Sequence, residues 1–212
     1  MRARILLLTT GGTIASLPTA EGLAPGLDGE ELARMLPQGI LEHYDVTVRD
    51  ILHLDSSNIQ PEEWQTIARH VFDNGTEYDG IVITHGTDTM AYTASVLSFM
   101  LRGIAIPVVL TGAQLPMAHP LSDGMENLRT ALAMAASGAA GVFLAFDRKV
   151  MLGCRAVKIR TTDFDAFESV NWPLAASVDG KGLQLHPEAI PRQTGECALR
   201  DRLCDKVFLI KL

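Results

Sequence analysis

Short apolar, β-branched runs alternate along this chain with stretches patterned like helices. Ile5–Thr9, Val46–Ile51, Gly80–Thr84, Val108–Thr111 and Gly141–Phe146 predict strands. Between them, Glu30–Leu36, Pro61–Asn74, Thr89–Leu101 and Asp123–Ala136 predict helices. Pro61 suits a first helical position, and Glu62 and Glu63 then face the positive end of the helix dipole. Strands that are apolar throughout, separated by helices, imply an α/β fold: a mostly parallel sheet covered on both faces.

The pattern changes after Phe146. Arg148–Lys158 holds two short extended runs around Leu152-Gly153 and predicts a β-hairpin. Pro187–Lys206 is polar and rich in Pro, Gly and charge, as interdomain linkers are. Val207-Phe208-Leu209-Ile210-Lys211-Leu212 then reads as the first strand of something more. The expected organisation is a domain over 1–186, a linker over 187–206, and the start of a second, uncompleted domain over 207–212. No internal repeat or low-complexity tract is visible.

Composition narrows the function. The chain has 212 residues, 47% of them hydrophobic, enough for a sizeable core, and a net charge of −7. With no basic run to track a phosphate backbone, a nucleic-acid partner is disfavoured. Three scattered cysteines, Cys154, Cys197 and Cys204, do not form a disulfide framework, and neither they nor the histidines have metal-site spacing. No metal and no cofactor are therefore expected. The apolar run Ile5–Leu8 is shorter than a signal-peptide core, and no stretch reaches the roughly 20 apolar residues of a membrane span. The expectation is a cytoplasmic protein without membrane partners.

Polar clusters recur where the strands end, the edge at which open parallel sheets bind ligands. Thr9 to Ser16 follows the first strand, Asp55-Ser56-Ser57-Asn58 comes soon after the second, His85-Gly86-Thr87-Asp88-Thr89 follows the third, and Gly112-Ala113-Gln114 the fourth. Gly11 and Gly12 suit an ordinary strand-exit turn as well as a close backbone approach to a ligand. They do not fit a phosphate loop, lacking its lysine and spacing. Thr87 or Asp88 can cap the helix that follows, although capping does not explain the whole His85–Thr89 cluster. His85 reads as a packed structural residue. Ser56 and Ser57 fit a turn or a site equally well. Lys158 is an ordinary surface lysine unless the hairpin folds it toward Thr87 and Asp88, where a desolvated amine can serve as a base.

Thr10-Gly11-Gly12-Thr13-Ile14-Ala15 and Ile83-Thr84-His85-Gly86-Thr87-Asp88-Thr89-Met90 resemble the two signature motifs of bacterial-type L-asparaginases. Asp55-Ser56-Ser57, Met90 to Leu101, Ser122-Asp123-Gly124 and Phe164-Asp165-Ala166-Phe167 are similar to the cytoplasmic type I branch. The likeness covers essentially the whole chain. It implies the N-terminal domain of a two-domain, homo-oligomeric amidohydrolase that converts L-asparagine to L-aspartate through a threonine nucleophile. It further implies Thr13 as that nucleophile and Thr87, Lys158 and Asp88 as a triad for proton transfer. Asp55, Ser56 and Ser57 would bind the substrate's α-carboxylate and neighbouring groups, Asp88 its ammonium, and the Ala113 backbone would lie near its amide. Amide groups beside Gly12 and Thr87 would hold the oxyanion.

Two departures accompany the likeness. Many members carry a tyrosine in the loop after the first motif, whereas no Tyr lies between Thr13 and Tyr44 here; Leu23 stands near the expected place, in a Gly- and Pro-containing loop suited to a movable lid. Members also continue through a second domain, and a neighbouring subunit's C-terminal domain closes each site, so the isolated chain is expected to show weak or no hydrolysis. The amidase component of an archaeal-type tRNA-dependent amidotransferase shares the motifs but would carry an extra N-terminal domain, where this sequence begins at the first strand. A non-catalytic ligand-binding or assembly fragment is the third alternative.

Overall fold

The computed structural model describes residues 2–19, 22–25, 29–204, 206–208 and 210. In chain order it contains β1 (Ala3–Gly11), a 3-10 turn (Thr13–Ala15), β2 (Ser16–Thr19), β3 (Gly22–Pro25), α1 (Gly29–Met35), α2 (Gln38–His43) and β4 (Tyr44–Leu54). A second 3-10 turn (Ser56–Asn58), α3 (Pro61–Asn74), β5 (Gly80–Thr84), α4 (Met90–Met100), β6 (Pro107–Thr111), α5 (Gly124–Ala135) and β7 (Gly141–Phe146) follow. The remainder is β8 (Lys149–Leu152), β9 (Ala156–Lys158), β10 (Phe167–Ser169), β11 (Ala176–Asp179), β12 (Gly182–Leu185) and a third 3-10 turn (Pro187–Ala189).

One eight-stranded sheet runs in the order β12-β11-β8-β7-β6-β5-β1-β4. β4, β1, β5, β6 and β7 are parallel, and β8, β11 and β12 extend the sheet antiparallel. This is the mostly parallel, helix-flanked sheet that the alternation of runs implies. Strand periodicity divides the core. Ile5 and Leu7 pack on one face with Leu32, Leu36, Ile40 and Leu128, while Leu6 and Leu8 pack on the other with Ile67, Val71, Ala94 and Leu97. Thus α1, α2 and α5 cover one face, and α3 and α4 the other. β5, β6 and β7 are buried at every position, so both faces of each must be apolar. Each such buried Leu or Ile contributes roughly 1.5–3 kcal/mol of transfer free energy. β4, at the sheet edge, tolerates polar residues such as Arg49 and Asp50.

The connections create a crevice. β1 leads into α1 and α2 on one face before the chain returns as β4, whereas β5 leads into α4 on the opposite face. Adjacent strands whose connections diverge leave a gap at their carboxyl ends.

The hairpin lies one strand earlier than the Leu152-Gly153 turn expected from the sequence. β7 and β8 pair through Asp147-Arg148, at φ 48° and 61°, the left-handed pair that a two-residue hairpin loop requires. At Leu152-Gly153 the chain instead packs on α4: the Gly153 amide donates to Val142 O at 2.8 Å, and a Cβ on Gly153 would fall 2.8 Å from Ala94 O. β9 pairs antiparallel with β10, so Lys158 is carried past α4.

The further differences are local. β4 extends beyond the predicted Val46–Ile51, and α2 and the β11–β12 hairpin give no clear period in sequence. The glycine-proline segment after the first motif forms the β2–β3 hairpin, in which Leu23 lies opposite Pro18; Glu21 and Gly26 lie outside the described residues. Residues 190–204 hold neither helix nor strand but are strapped across α3 and α4. The Gly103 amide donates to Gln193 Oε1 at 3.3 Å, the Arg200 amide to Met100 O at 2.9 Å, and Arg69 pairs with Asp201 at 2.8 Å. Val207, Phe208 and Ile210 are exposed and not in a strand, while Leu209, Lys211 and Leu212 lie outside the described residues. Among the described residues no helix is long and apolar enough to cross a membrane.

Candidate active site

The carboxyl ends of β1 and β5 meet through glycines. Gly11 and Gly12 adopt φ 96° and 83°, a region that favours glycine, as β1 turns into the 3-10 turn that begins at Thr13. A Cβ on Gly12 would fall 2.6 Å from the Gly86 Cα, so the backbones of the two motifs touch directly. Gly86 in turn rests on Ser56, whose Oγ would lie 2.5 Å from a Cβ there. Gly112, after β6, packs so closely on His85 O that it too has no room for a side chain. The Thr10 hydroxyl donates to Thr84 O at 2.8 Å, stitching β1 to β5. Thr13 and Thr87 are therefore each the residue after a glycine in this nested pair, Thr13 half-buried and Thr87 buried.

Lys158 joins them from β9. Its Nζ donates to Thr87 Oγ1 at 2.8 Å and to Asp88 Oδ1 at 2.7 Å. The lysine side chain is 14% exposed and that of Asp88 67%, so the amine is sheltered while the carboxylate opens to solvent. Lys158 and Asp88 are 70 positions apart in sequence, and the packing of β9 against α4 brings them together.

The Asp55–Ser57 segment closes another side. Asp55 Oδ1 accepts from both the Ser57 amide at 2.8 Å and the Ser57 hydroxyl at 2.7 Å. Those two hydrogen bonds, the backbone one first, hold its carboxyl below the usual carboxylate range. Ser56 is buried beneath Gly86, and its carbonyl accepts from Thr89 Oγ1 at 2.7 Å. Asp55 and Ser57 are exposed. Ala113 is fully buried in the loop after β6. The structure brings several of the nine residues singled out from sequence into contact. Direct contacts join Lys158 with Thr87 and Asp88, Gly12 and Ser56 with Gly86, and Asp55 with Ser57. The Gly12 amide donates to Leu54 O at 3.2 Å, so it is the Thr13 and Thr87 amides that remain as oxyanion candidates.

His85 is packed, as its sequence context suggests. It is fully buried, with Nδ1 2.8 Å from Gly86 O and Nε2 2.9 Å from Thr93 Oγ1. Burial lowers its pKa to about 4, against the opposing pull of the Gly86 hydrogen bond.

Sequence reasoning gave Gln114 and Asp123 no role in the site. The Thr87 hydroxyl donates to Gln114 Oε1 at 3.3 Å, and Gln114 Nε2 donates to Asp163 O at 2.8 Å and Thr161 O at 3.2 Å. Gln114 therefore ties Thr87 to the loop after Lys158. Asp123 accepts from the Gln114 amide at 3.0 Å, the Leu115 amide at 3.1 Å and Asn127 Nδ2 at 2.9 Å, fixing the loop that carries Ala113 and Gln114. The signal was the unexplained Ser122-Asp123-Gly124 segment ahead of α5, whose carboxylate caps a loop instead of its own helix. Among the described residues no cluster of three or more His, Cys, Asp or Glu side chains could hold a metal ion.

Residues 4–191 match the family model for the N-terminal domain of asparaginases. The chain is 50% identical over 177 residues to an L-asparaginase of Thermococcus kodakarensis, a match covering 84% of this chain and 54% of that protein. It is 39% identical over 222 residues to a glutamyl-tRNA(Gln) amidotransferase component of Pyrococcus furiosus, covering 98% of this chain and 50% of that protein. A solved structure, the thermostable L-asparaginase from Thermococcus kodakarensis, superposes with a TM-score of 0.86 at 47% identity, covering 94% of this chain and 61% of that one. The chain spans about half the length of the curated relatives it matches.

Proposed function

This chain belongs to the asparaginase family, and on that footing we propose that it carries the catalytic half of an amidohydrolase that converts L-asparagine to L-aspartate and ammonia. The observation that carries the proposal is the Lys158 amine held 2.8 Å from the Thr87 hydroxyl and 2.7 Å from Asp88, beside the nested Gly12 and Gly86. Amides are poor electrophiles, and an acyl-enzyme divides one difficult step into two. In the first, Thr13 Oγ bonds to the side-chain carbonyl carbon and the carbon–nitrogen bond breaks, ammonia leaving with the hydroxyl proton. In the second, water bonds to that carbon, the ester bond breaks, and the proton returns to Thr13. Thr87, Lys158 and Asp88 form the path along which these protons move. The Thr13 and Thr87 amides hold the oxyanion, a role worth ~100-fold or more per donor.

The Asp55-Ser56-Ser57 segment receives the α-carboxylate and neighbouring groups, Asp88 the ammonium, and the Ala113 backbone lies beside the amide. Residues 187–206 act as a linker and 207–212 open a second domain, supported by the half-length match to the relatives. The enzyme works as a homo-oligomer, with a neighbouring subunit closing each site, in the cytoplasm, where the free thiols of Cys154, Cys197 and Cys204 stay reduced.

Ammonia release from L-asparagine, by this chain and by a form extended through a second domain, tests the proposal. Thr13→Ala and Thr87→Val are each expected to lower the rate at least ~100-fold. Parental rates in both variants would remove these two roles. The 39% identity to an amidotransferase component favours a second reading, release of ammonia from glutamine for transfer to a charged tRNA. A clear preference for glutamine over asparagine would select it.

A further inference from the structure

His85 belongs to a directed hydrogen-bond chain that the reaction scheme above does not use. Every direction in it follows from the donor inventory. A carbonyl only accepts, so the 2.8 Å contact to Gly86 O places the proton of the ring on Nδ1. An indole only donates, so Trp64 Nε1 donates to Thr93 Oγ1 at 2.9 Å. The single hydroxyl proton of Thr93 then goes to His85 Nε2, 2.9 Å away, which must be bare to accept it. Complete burial keeps the ring neutral and makes that acceptor available. The chain runs from α3 through α4 to the loop after β5, and both Thr93 and His85 are fully buried.

Its end point is the peptide between Gly86 and Thr87. No cis peptide bond occurs among the described residues, so the Gly86 carbonyl and the Thr87 N–H point in opposite directions. Drawing the carbonyl toward the buried ring turns the Thr87 N–H away from it. Among the described residues nothing accepts from that amide. Gly86 is held between Gly12 and Ser56 and cannot shift sideways, which leaves rotation of the peptide as the freedom that His85 removes.

We propose that His85 is a positioning residue, whose Nδ1–H anchors the Gly86 carbonyl so that the Thr87 amide stays aimed at the oxyanion of the amide-hydrolysis reaction. The proposal rests on the hydrolase assignment above. It concerns orientation: His85 touches no reacting atom and moves no proton.

The two amide replacements of histidine separate this role from simple packing. Asparagine places its NH2 near the position of Nδ1 and keeps a donor for Gly86 O; glutamine places its NH2 near Nε2 and loses that donor. In whichever chain length hydrolyses asparagine, His85→Asn is expected to keep kcat within about tenfold of the parent. His85→Gln is expected to lose about 100-fold in kcat, with KM moving less than about threefold. Equal kcat in the two variants, or a loss confined to KM, overturns the proposal. A measurement on the parent guards against variants that fail to fold. Nitrogen-15 NMR of the histidine rings should show His85 as a neutral, Nδ1-protonated tautomer at pH 6, and an Nε2-protonated or cationic ring there overturns the proposal without any substitution. A parent that releases no ammonia in either length fails the hydrolase assignment itself, and with it the catalytic sense of His85. An active parent with indistinguishable variants fails only the positioning role.

Discussion

Replacing Gly12 by alanine adds one methyl group where the loops after β1 and β5 meet, and its cost follows from the geometry. The new Cβ would lie 2.6 Å from the Gly86 Cα and 2.9 Å from the His85 carbonyl carbon. Both are backbone atoms, so no side chain can rotate away. An ordinary carbon contact needs about 3.5 Å, so the loops must part by about 1 Å. The residue must also hold φ 83°, which costs an alanine roughly 1–2 kcal/mol. Overpacking adds about 1–3 kcal/mol, for a total near 2–5 kcal/mol. Urea denaturation measures that loss. Gly180→Ala serves as the control, because a Cβ there meets nothing within 4 Å and its cost should stay within about 0.5 kcal/mol. The same displacement of about 1 Å carries Thr13 away from Thr87, and ammonia release should fall ~100-fold or more. Equal urea midpoints for Gly12→Ala and Gly180→Ala would refute the packing argument, whatever happens to activity.

Acid should weaken the protein through His85. Its folded pKa of about 4 lies below the unfolded value of 6.5, so the unfolded chain takes up the proton first. The contribution is complete above pH 6.5 and is lost as pH falls from 6.5 toward 4. At about 1.4 kcal/mol per pH unit, urea unfolding at pH 4.5 should show the parent losing about 2 kcal/mol more than His85→Asn does relative to pH 7, and parallel losses would contradict this. Lys158→Met should lower ammonia release by ~10²–10⁴-fold. Because Asp88 is 67% exposed, the same change should cost the fold only about 1 kcal/mol or less, and a larger shift in urea midpoint would show that Lys158 is structural. Asp123→Ala strips the acceptor from the Gln114 and Leu115 amides, and at about 1–3 kcal/mol for each group left unpaired it should destabilise the chain by about 2–6 kcal/mol; Asp123→Asn, which keeps an acceptor oxygen, should recover most of that in the same unfolding assay.

The parallel core and its two helical layers were legible in sequence because they are written in local patterns. β5, β6 and β7 are buried on both faces, so apart from the strand-ending Thr84 and Thr111 their residues are apolar, and Pro61 with its two glutamates marks a helix start without reference to anything distant. The motif residues could likewise be assigned to one edge, because strand ends and glycine turns are local features. The β7–β8 turn was placed one strand too late, at Leu152-Gly153. Asp147-Arg148 and Leu152-Gly153 are both plausible turns, and the choice depends on whether the strand pairs with β7 or packs under α4.

By itself, the sequence determined the fold class, the order of the five parallel strands and of α1, α3, α4 and α5 between them, and the loops that would carry polar groups, because burial patterns are decided within a few residues. Tertiary structure alone decided that Lys158 meets Thr87 and Asp88 from 70 positions away, that Gln114 and Asp123 brace them, and that His85 faces Gly86 with Nδ1. The physical reason is that a hydrogen bond has force only over about 3 Å. Which partners come within that reach depends on how strands from distant parts of the chain pair in the sheet, and no local pattern encodes it.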